Sequence, residues 1–242
     1  MPFQPTNTHG LSTRDQQALD RPIWSSLTSK HQSLAMGGQL ARRYPPAIAP
    51  FAAVSEFTPA SVSDLRGLAT DAPVALLSTA DLGPLDGLEV QFSSTLRQMI
   101  RLEGIPDWPD AVTDVLAASD VQAMLDLTAL TKPGPFFAQT HQLGRYIGIR
   151  DGDRLAAMAG ERMRLDGYTE ISAVCVHPDY RGKGYAQILV KSLMRTISER
   201  GEASILHVLD DNRGAIALYE RLGFVTRTTF HLTVMHRSDA MD

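Results

Sequence analysis

Apolar positions in the second half of the chain fall into short unbroken runs and helical stripes, and the elements they predict can be set down in order. VTDVLAAS predicts a strand. Asp120 then caps a helix through VQAMLDLTAL, with Ala123, Met124, Leu127 and Leu130 on one face, and TKPGPF is too rich in proline and glycine to continue it. RYIGIR, RLAAMAGERMR and YTEISAVCV predict three successive strands. Beyond HPDYRGKG, Tyr185, Ile188, Leu189, Ser192, Leu193, Thr196 and Ile197 recur at helical spacing, with Gly201 as the glycine that ends the helix. ASILHVL is the next strand. Asn212 fits the N-cap of a helix through RGAIALYERL to Gly223, and FVTRTTFHLTVM supplies a final strand or a bent pair.

The first half carries weaker patterning. Trp24, Leu27, His31 and Leu34 approximate helical spacing before Pro45 and Pro46, and PVALLS predicts a buried strand. GIPDWP, at 104–109, reads as a linker. The expected organisation is a flexible N-terminus over 1–20, a first domain over 21–110 and a second over 111–242. No tandem repeat or low-complexity tract interrupts it.

Asp166-Gly167 separates two of the predicted strands and is a strong signal for a two-residue hairpin of type I′. That turn pairs Leu165 with Tyr168, sets Met163 opposite Glu170 and Glu161 opposite Ser172, and brings Glu161 and Glu170 onto one sheet face as diagonal neighbours about 5.5–8 Å apart. At that spacing the two carboxyls titrate as a coupled pair with the upper pKa raised. The alternative is that Arg162 or Arg164 neutralises either group.

Composition narrows the chemistry. The chain has 242 residues, 43% of them hydrophobic, and a formal charge of −4, which gives no overall basic field for nucleic acid. Cys175 is the single cysteine, so no internal disulfide forms, and a reducing compartment fits. The polar N-terminus has no signal-peptide core and no membrane segment is visible, so a soluble cytoplasmic protein is expected. Seven histidines show no HExxH or paired spacing, so no metal site is expected, and no Gly-x-Ser-x-Gly elbow is present. His207, inside ASILHVL, reads as a satisfied strand histidine.

The segment HPDYRGKGYA carries the sharpest signal: two cations and two alternate glycines between a strand and a helix, a place built to receive phosphate. A Walker loop needs Gly-Lys-Ser/Thr and fails here. A dinucleotide fingerprint needs a small residue where Gln187 stands. The segment does match another pattern, Arg/Gln-x-x-Gly-x-Gly/Ala, in Arg181, Gly182, Lys183, Gly184, Tyr185 and Ala186. Downstream, Asn212, Ala215 and Tyr219, followed by Leu222, Gly223 and Phe224, give N-x-x-A-x-x-x-Y and LGF. The two blocks, in this order, resemble the GNAT superfamily of N-acetyltransferases over residues 112 to 237. The arrangement of two halves resembles its glycine N-acyltransferase-like branch, in which a motif-poor GNAT-like half precedes the active one.

That resemblance implies an α/β (α+β) fold, a mostly antiparallel mixed sheet with a splayed central strand pair flanked by helices. It implies acetyl-CoA or another acyl-CoA as co-substrate, with pyrophosphate at Arg181–Ala186, the pantetheine arm along the backbone of Val174, Cys175 and Val176, and Asn212 beside the cofactor. Acyl transfer to an amine calls for a base and an acid. The resemblance assigns the acid to Tyr219, against a core tyrosine, and the base to Glu170, against a solvated strand carboxylate; the hairpin register makes Glu161 its tuning partner. Phe136 and Phe137 fall where the superfamily shapes its acceptor pocket. Cys175 reads as a core hydrophobe, so direct transfer in a ternary complex is expected. The acceptor is a small amine, an amino acid or a protein N-terminus, and the first half supplies acceptor walls or homodimer contacts. The alternative function is a non-catalytic acyl-CoA sensor or partner-docking protein.

Overall fold

The computed structural model describes residues 10–102, 104, 108 and 112–238. The predicted linker GIPDWP falls largely outside the described residues. The chain begins with helices α1 (Thr13–Asp20) and α2 (Pro22–Thr28). Ser12 and Asp15 cap α1 reciprocally, and Leu19 is fully buried. Residues 13–20 are therefore ordered helix, which corrects the expected flexible stretch. Three very short strands, β1 (Met36–Gly37), β2 (Ala41–Arg43) and β3 (Ala52–Val54), form a small antiparallel sheet. Helix α3 (Pro59–Leu68), capped by Thr58, packs on it.

The main sheet has eight strands: β4 (Val74–Ser78), β5 (Leu88–Arg101), β6 (Asp114–Leu116), β7 (Tyr146–Asp151), β8 (Arg154–Leu165), β9 (Tyr168–Val176), β10 (Ala203–Leu209) and β11 (Val225–Arg237). They lie in the order β4-β11-β5-β10-β9-β8-β7-β6, and β9 with β10 is the parallel pair. Helices α4 (Val121–Thr131), α5 (Tyr185–Glu199) and α6 (Arg213–Arg221) complete the layers. The expected mixed, mostly antiparallel α/β fold is observed. The expected division at residue 110 does not describe the sheet, because β4 and β5 from the first half lie within it and β5 sits between β10 and β11.

Helix α5 shows why the sheet holds. Leu189, Val190, Leu193, Met194 and Ile197 are each fully buried on its inner stripe, worth roughly 1.5–3 kcal/mol apiece. They meet Ile171, Val174 and Val176 of β9, Leu206 and Val208 of β10, and Ile216, Tyr219 and Phe224 around α6. Gly201, at φ 72°, follows the helix as predicted. On the opposite sheet face, Tyr168, Met163 and Ile205 pack against Leu19, Ile23, Tyr44 and Phe51 of the first half.

The β8–β9 hairpin departs from its predicted register. Leu165 pairs with Tyr168 as expected, but Gly167 takes φ 80° while Asp166 does not enter positive φ, so the turn is not type I′. Between the pairs Arg164–Thr169 and Glu161–Ile171, Arg162 and Met163 both oppose Glu170. This bulge shifts Glu161 and Gly160 by one residue, and a second irregularity between Gly160 and Met158 restores the register at Met158–Cys175 and Ala157–Val176. Asp120 differs as well: its carboxylate takes the Ala117 N–H and the Arg150 guanidinium instead of capping α4.

Candidate functional site

Strands β9 and β10 run side by side only from Tyr168–Ala203 to Glu170–Ile205. Past that point β9 pairs with β8 alone and β10 with β5 alone, so the backbone of Val174, Cys175 and Val176 has no partner on the β10 side. Ala173, at φ 52°, is one of two described non-glycine residues with positive φ and lies beyond that point, at the irregularity of the β8–β9 ladder between Ser172 and Cys175. The gap opens toward the C-terminal ends of both strands, where the two motif segments lie.

Of these, the Arg181–Ala186 segment leads into α5. Gly182 and Gly184 adopt φ 79° and 78°, and Gly184 stands at the N-cap with no side chain capping the helix. A Cβ on either would meet no protein atom within 4 Å, so inside the protein the glycine requirement is conformational, not crowding. The uncapped first turn and the helix dipole favour an anion. Tyr180 braces the loop: its hydroxyl donates to Asp151 at 2.8 Å, its ring stacks on Tyr185, and Lys183 Nζ lies 4.7 Å from the ring centroid. Arg181 and Lys183 are exposed. Asn212, just past β10, accepts from the Ala215 N–H as the N-cap of α6.

Beneath the strand gap, Glu170 is fully buried. Arg162 donates to it twice, Nε to Oε2 at 2.8 Å and Nη2 to Oε1 at 2.5 Å, and His207 Nδ1 lies 2.8 Å from Oε1. The Arg162 guanidinium lies 4.8 Å from the centroid of the Phe51 ring. Gln98 fixes the far side of His207. Arg227 donates to its oxygen, so its amide nitrogen donates to Leu19 O and to His207 Nε2, leaving Nδ1–H for Glu170. His207 is thus a satisfied strand histidine and also the fixed partner of Glu170. Burial by itself raises the Glu170 carboxyl, but the Arg162 charge and the hydrogen bonds from Arg162 and His207 overcome it and hold the group at about 2.

Glu161 lies elsewhere. Arg200, at the end of α5, donates to it at 2.9 Å on the face opposite Phe51. The expected coupled carboxylate pair is therefore not formed. The bulge at Arg162 and Met163 turns the two groups to opposite faces, each with its own arginine, and Glu170 is held down instead of raised.

Tyr219 is buried against Phe224, and burial pushes its phenol up to about 12. Cys175 faces Met124 and Leu127 of α4, and burial pushes its thiol up to about 11, which leaves little thiolate near neutrality. Phe136 packs edge-on against Tyr146 at 5.6 Å, and Phe137 is partly exposed. The residues that sequence reading missed are Tyr146, Gly160 and Gln98, each brought in by long-range pairing. Among the described residues no helix is long and apolar enough to cross a membrane.

The chain is similar to known proteins in sequence and in structure. The FR47-like protein family matches residues 146–232. The [ribosomal protein bS18]-alanine N-acetyltransferase of Escherichia coli K12 is 30% identical over 135 residues, 52% of this chain and 90% of that protein. The Salmonella typhimurium protein of the same name is 29% identical over 136 residues, 52% and 91% respectively. A crystal structure from Novosphingobium aromaticivorans, assigned to the GNAT family of acetyltransferases, superposes with a TM-score of 0.85 at 36% identity, covering 91% of this chain and 98% of that one.

Proposed function

Because the chain belongs to the GNAT family of acetyltransferases, we propose that it moves an acetyl group from acetyl-CoA directly to a primary amine, with both substrates bound together. The observation that carries this reading is the strand gap beyond Glu170 and Ile205, open at the end where α5 starts uncapped. Pyrophosphate would sit on the N–H groups of Arg181–Ala186. The pantetheine arm would lie along Val174–Val176 like an added strand, where a free N–H polarises the thioester carbonyl. Asn212, next to the end of β10, borders the same opening.

The amine attacks the thioester carbon. A C–N bond forms, the C–S bond breaks, the departing thiolate takes a proton, and the nitrogen releases its surplus proton to solvent, which restores the donor. Tyr219 is the proposed donor, since its raised pKa keeps the proton on the phenol at working pH. Glu170 is proposed to meet the amine as a permanent carboxylate. Its Oε1 receives two hydrogen bonds and its Oε2 one, so Oε2 keeps capacity for an amine N–H. Held at about 2, it is too weak a base to deprotonate a free ammonium near neutral pH, and the acceptor enters as the neutral amine. Cys175, buried with a raised pKa, does not suit an acyl-enzyme, which supports direct transfer.

The bS18-alanine N-acetyltransferases make a protein N-terminus an acceptor to test beside free amino acids and small amines. The first half, whose Phe51 and Tyr44 back the Glu170 cluster, is proposed to wall the acceptor side. The likeness to the two-domain glycine N-acyltransferase branch is part of this proposal. Thiol release from acetyl-CoA across a panel of amines tests it: steady turnover with at least one amine, lost in Gly184→Val, is the expected result. Silence across the panel overturns it.

A further inference from the structure

Tyr146 opens β7, and its ring does not stay on its own strand. It pairs with Gly160 of β8, which pairs with Ser172 of β9, so the three lie in line across the sheet. A Cβ on Gly160 would lie 2.2 Å from Cδ1 and Cε1 of Tyr146. Only a glycine lets the ring lie across β8 and reach β9, where it packs with Ala173 and Cys175. The ring therefore ends beside Ala173, the positive-φ residue three positions beyond the last β9–β10 pair at Glu170.

The hydroxyl it carries there has no hydrogen-bond partner among the described residues, although Tyr146 is only 2% exposed. Leaving such a group unsatisfied costs about 1–3 kcal/mol, and orphans of this kind are few in native proteins. Its electrostatic surroundings include those of the site: Arg162 and Glu170 both act on the phenol. Its position also says which substrate it faces. Ile171, Val174 and Val176 of β9 pack toward α5, whose start is the proposed phosphate site, while Ala173 and Cys175 pack on the other face with Tyr146 and Phe136. A molecule meeting the thioester from the side away from α5 meets Tyr146.

We infer that the Tyr146 hydroxyl binds the acyl acceptor, donating a hydrogen bond to a carbonyl or carboxylate oxygen next to the reacting amine. An oxygen is the suitable target because the amine nitrogen must keep its lone pair for attack. The orphan phenol is completed by substrate, and acceptors carrying that oxygen are preferred over plain alkylamines. This inference rests on the reading that the protein acylates amines.

Tyr146→Phe tests it by removing one oxygen while keeping the ring over Gly160 and against Phe136. The assay is steady-state thiol release with acetyl-CoA and two acceptors of similar size, alaninamide and sec-butylamine, with urea unfolding as a check on folding. The expected result is a loss of about 5- to 20-fold in kcat/KM for alaninamide, carried by its KM. The sec-butylamine value, the acetyl-CoA KM and the urea midpoint stay as in the parent, or the midpoint rises. Equal losses with both acceptors, or a changed acetyl-CoA KM, overturn the inference. A parent enzyme that uses sec-butylamine as well as alaninamide also overturns it while leaving the N-acyltransferase reading intact. No release from either acceptor overturns the inference, and the reading falls with it only if the wider amine panel is silent too.

Discussion

Replacing Arg162 with methionine removes the partner that keeps Glu170 ionised and leaves the packing volume much the same. In the parent, Glu170 is fully buried and the Arg162 side chain is 11% exposed, so solvent screens the pair little. The carboxyl is held at about 2 against an ordinary 4.5, and at about 1.4 kcal/mol per pH unit that difference contributes about 3 kcal/mol to folding. The sign follows from the direction. A carboxyl lowered in the folded state contributes fully above its unfolded value and loses that contribution as pH falls from about 4.5 toward 2. In Arg162→Met the buried carboxylate keeps only His207, burial dominates, and its pKa moves upward. The variant should lose about 3–5 kcal/mol at pH 7, a large share of the roughly 5–15 kcal/mol typical of a domain. It should recover part of this at pH 5, where the parent gains nothing from the group. Urea unfolding followed by circular dichroism at pH 5 and 7 measures both quantities, and Arg162→Met/Glu170→Gln should be more stable than Arg162→Met. A cost under about 1 kcal/mol with the parent's pH dependence would refute the buried ionised pair.

Three other outcomes are expected. The acidic limb of kcat/KM should follow the pKa of the acceptor amine and not a residue of the protein, because Glu170 is already ionised; a limb that stays fixed across amines of different pKa, or moves in Glu161→Gln, contradicts this. Tyr219→Phe should lower kcat at least tenfold with little change in acetyl-CoA binding, while Cys175→Ala should keep its rate; parallel double-reciprocal plots or a trapped acyl-Cys175 would reverse that reading. Gly160→Ala should destabilise by about 1–3 kcal/mol through collision with the Tyr146 ring, and a urea midpoint equal to the parent's would show that the ring does not cross β8.

The legibility of the sequence followed the range of the interactions. YTEISAVCV and ASILHVL were readable because strands largely buried on both faces are rich in apolar and β-branched residues, and they became β9 and β10 with their predicted ends. Strand β5 was not legible. Its first half is largely exposed although it carries Val90 and Phe92, and its apolar residues make sense only once β10 and β11 flank it. Strands β1 to β3 have two or three residues each, too few to show a period. Within the site, Arg181–Ala186 and Asn212 stood out because local backbone chemistry selects those residue types. The bulge at Arg162 and Met163 carries no glycine to mark it, so the register of Glu161 slipped by one. Tyr146 and Gly160 each look ordinary alone; their relation exists only across paired strands.

The position of β5 in the sheet also bears on how the protein is made. Its neighbours, β10 from Ala203 and β11 ending at Arg237, are synthesised long after it. At about 5–20 residues per second, β5 waits on the order of 5–25 s with both edges unpaired while the ribosome finishes the chain. An unpaired strand carrying Val90 and Phe92 is a site for misassociation, and chaperone dependence during translation follows. Truncation after residue 110 would strand β5 permanently, so the first half, expressed alone, should aggregate instead of folding as a separable unit.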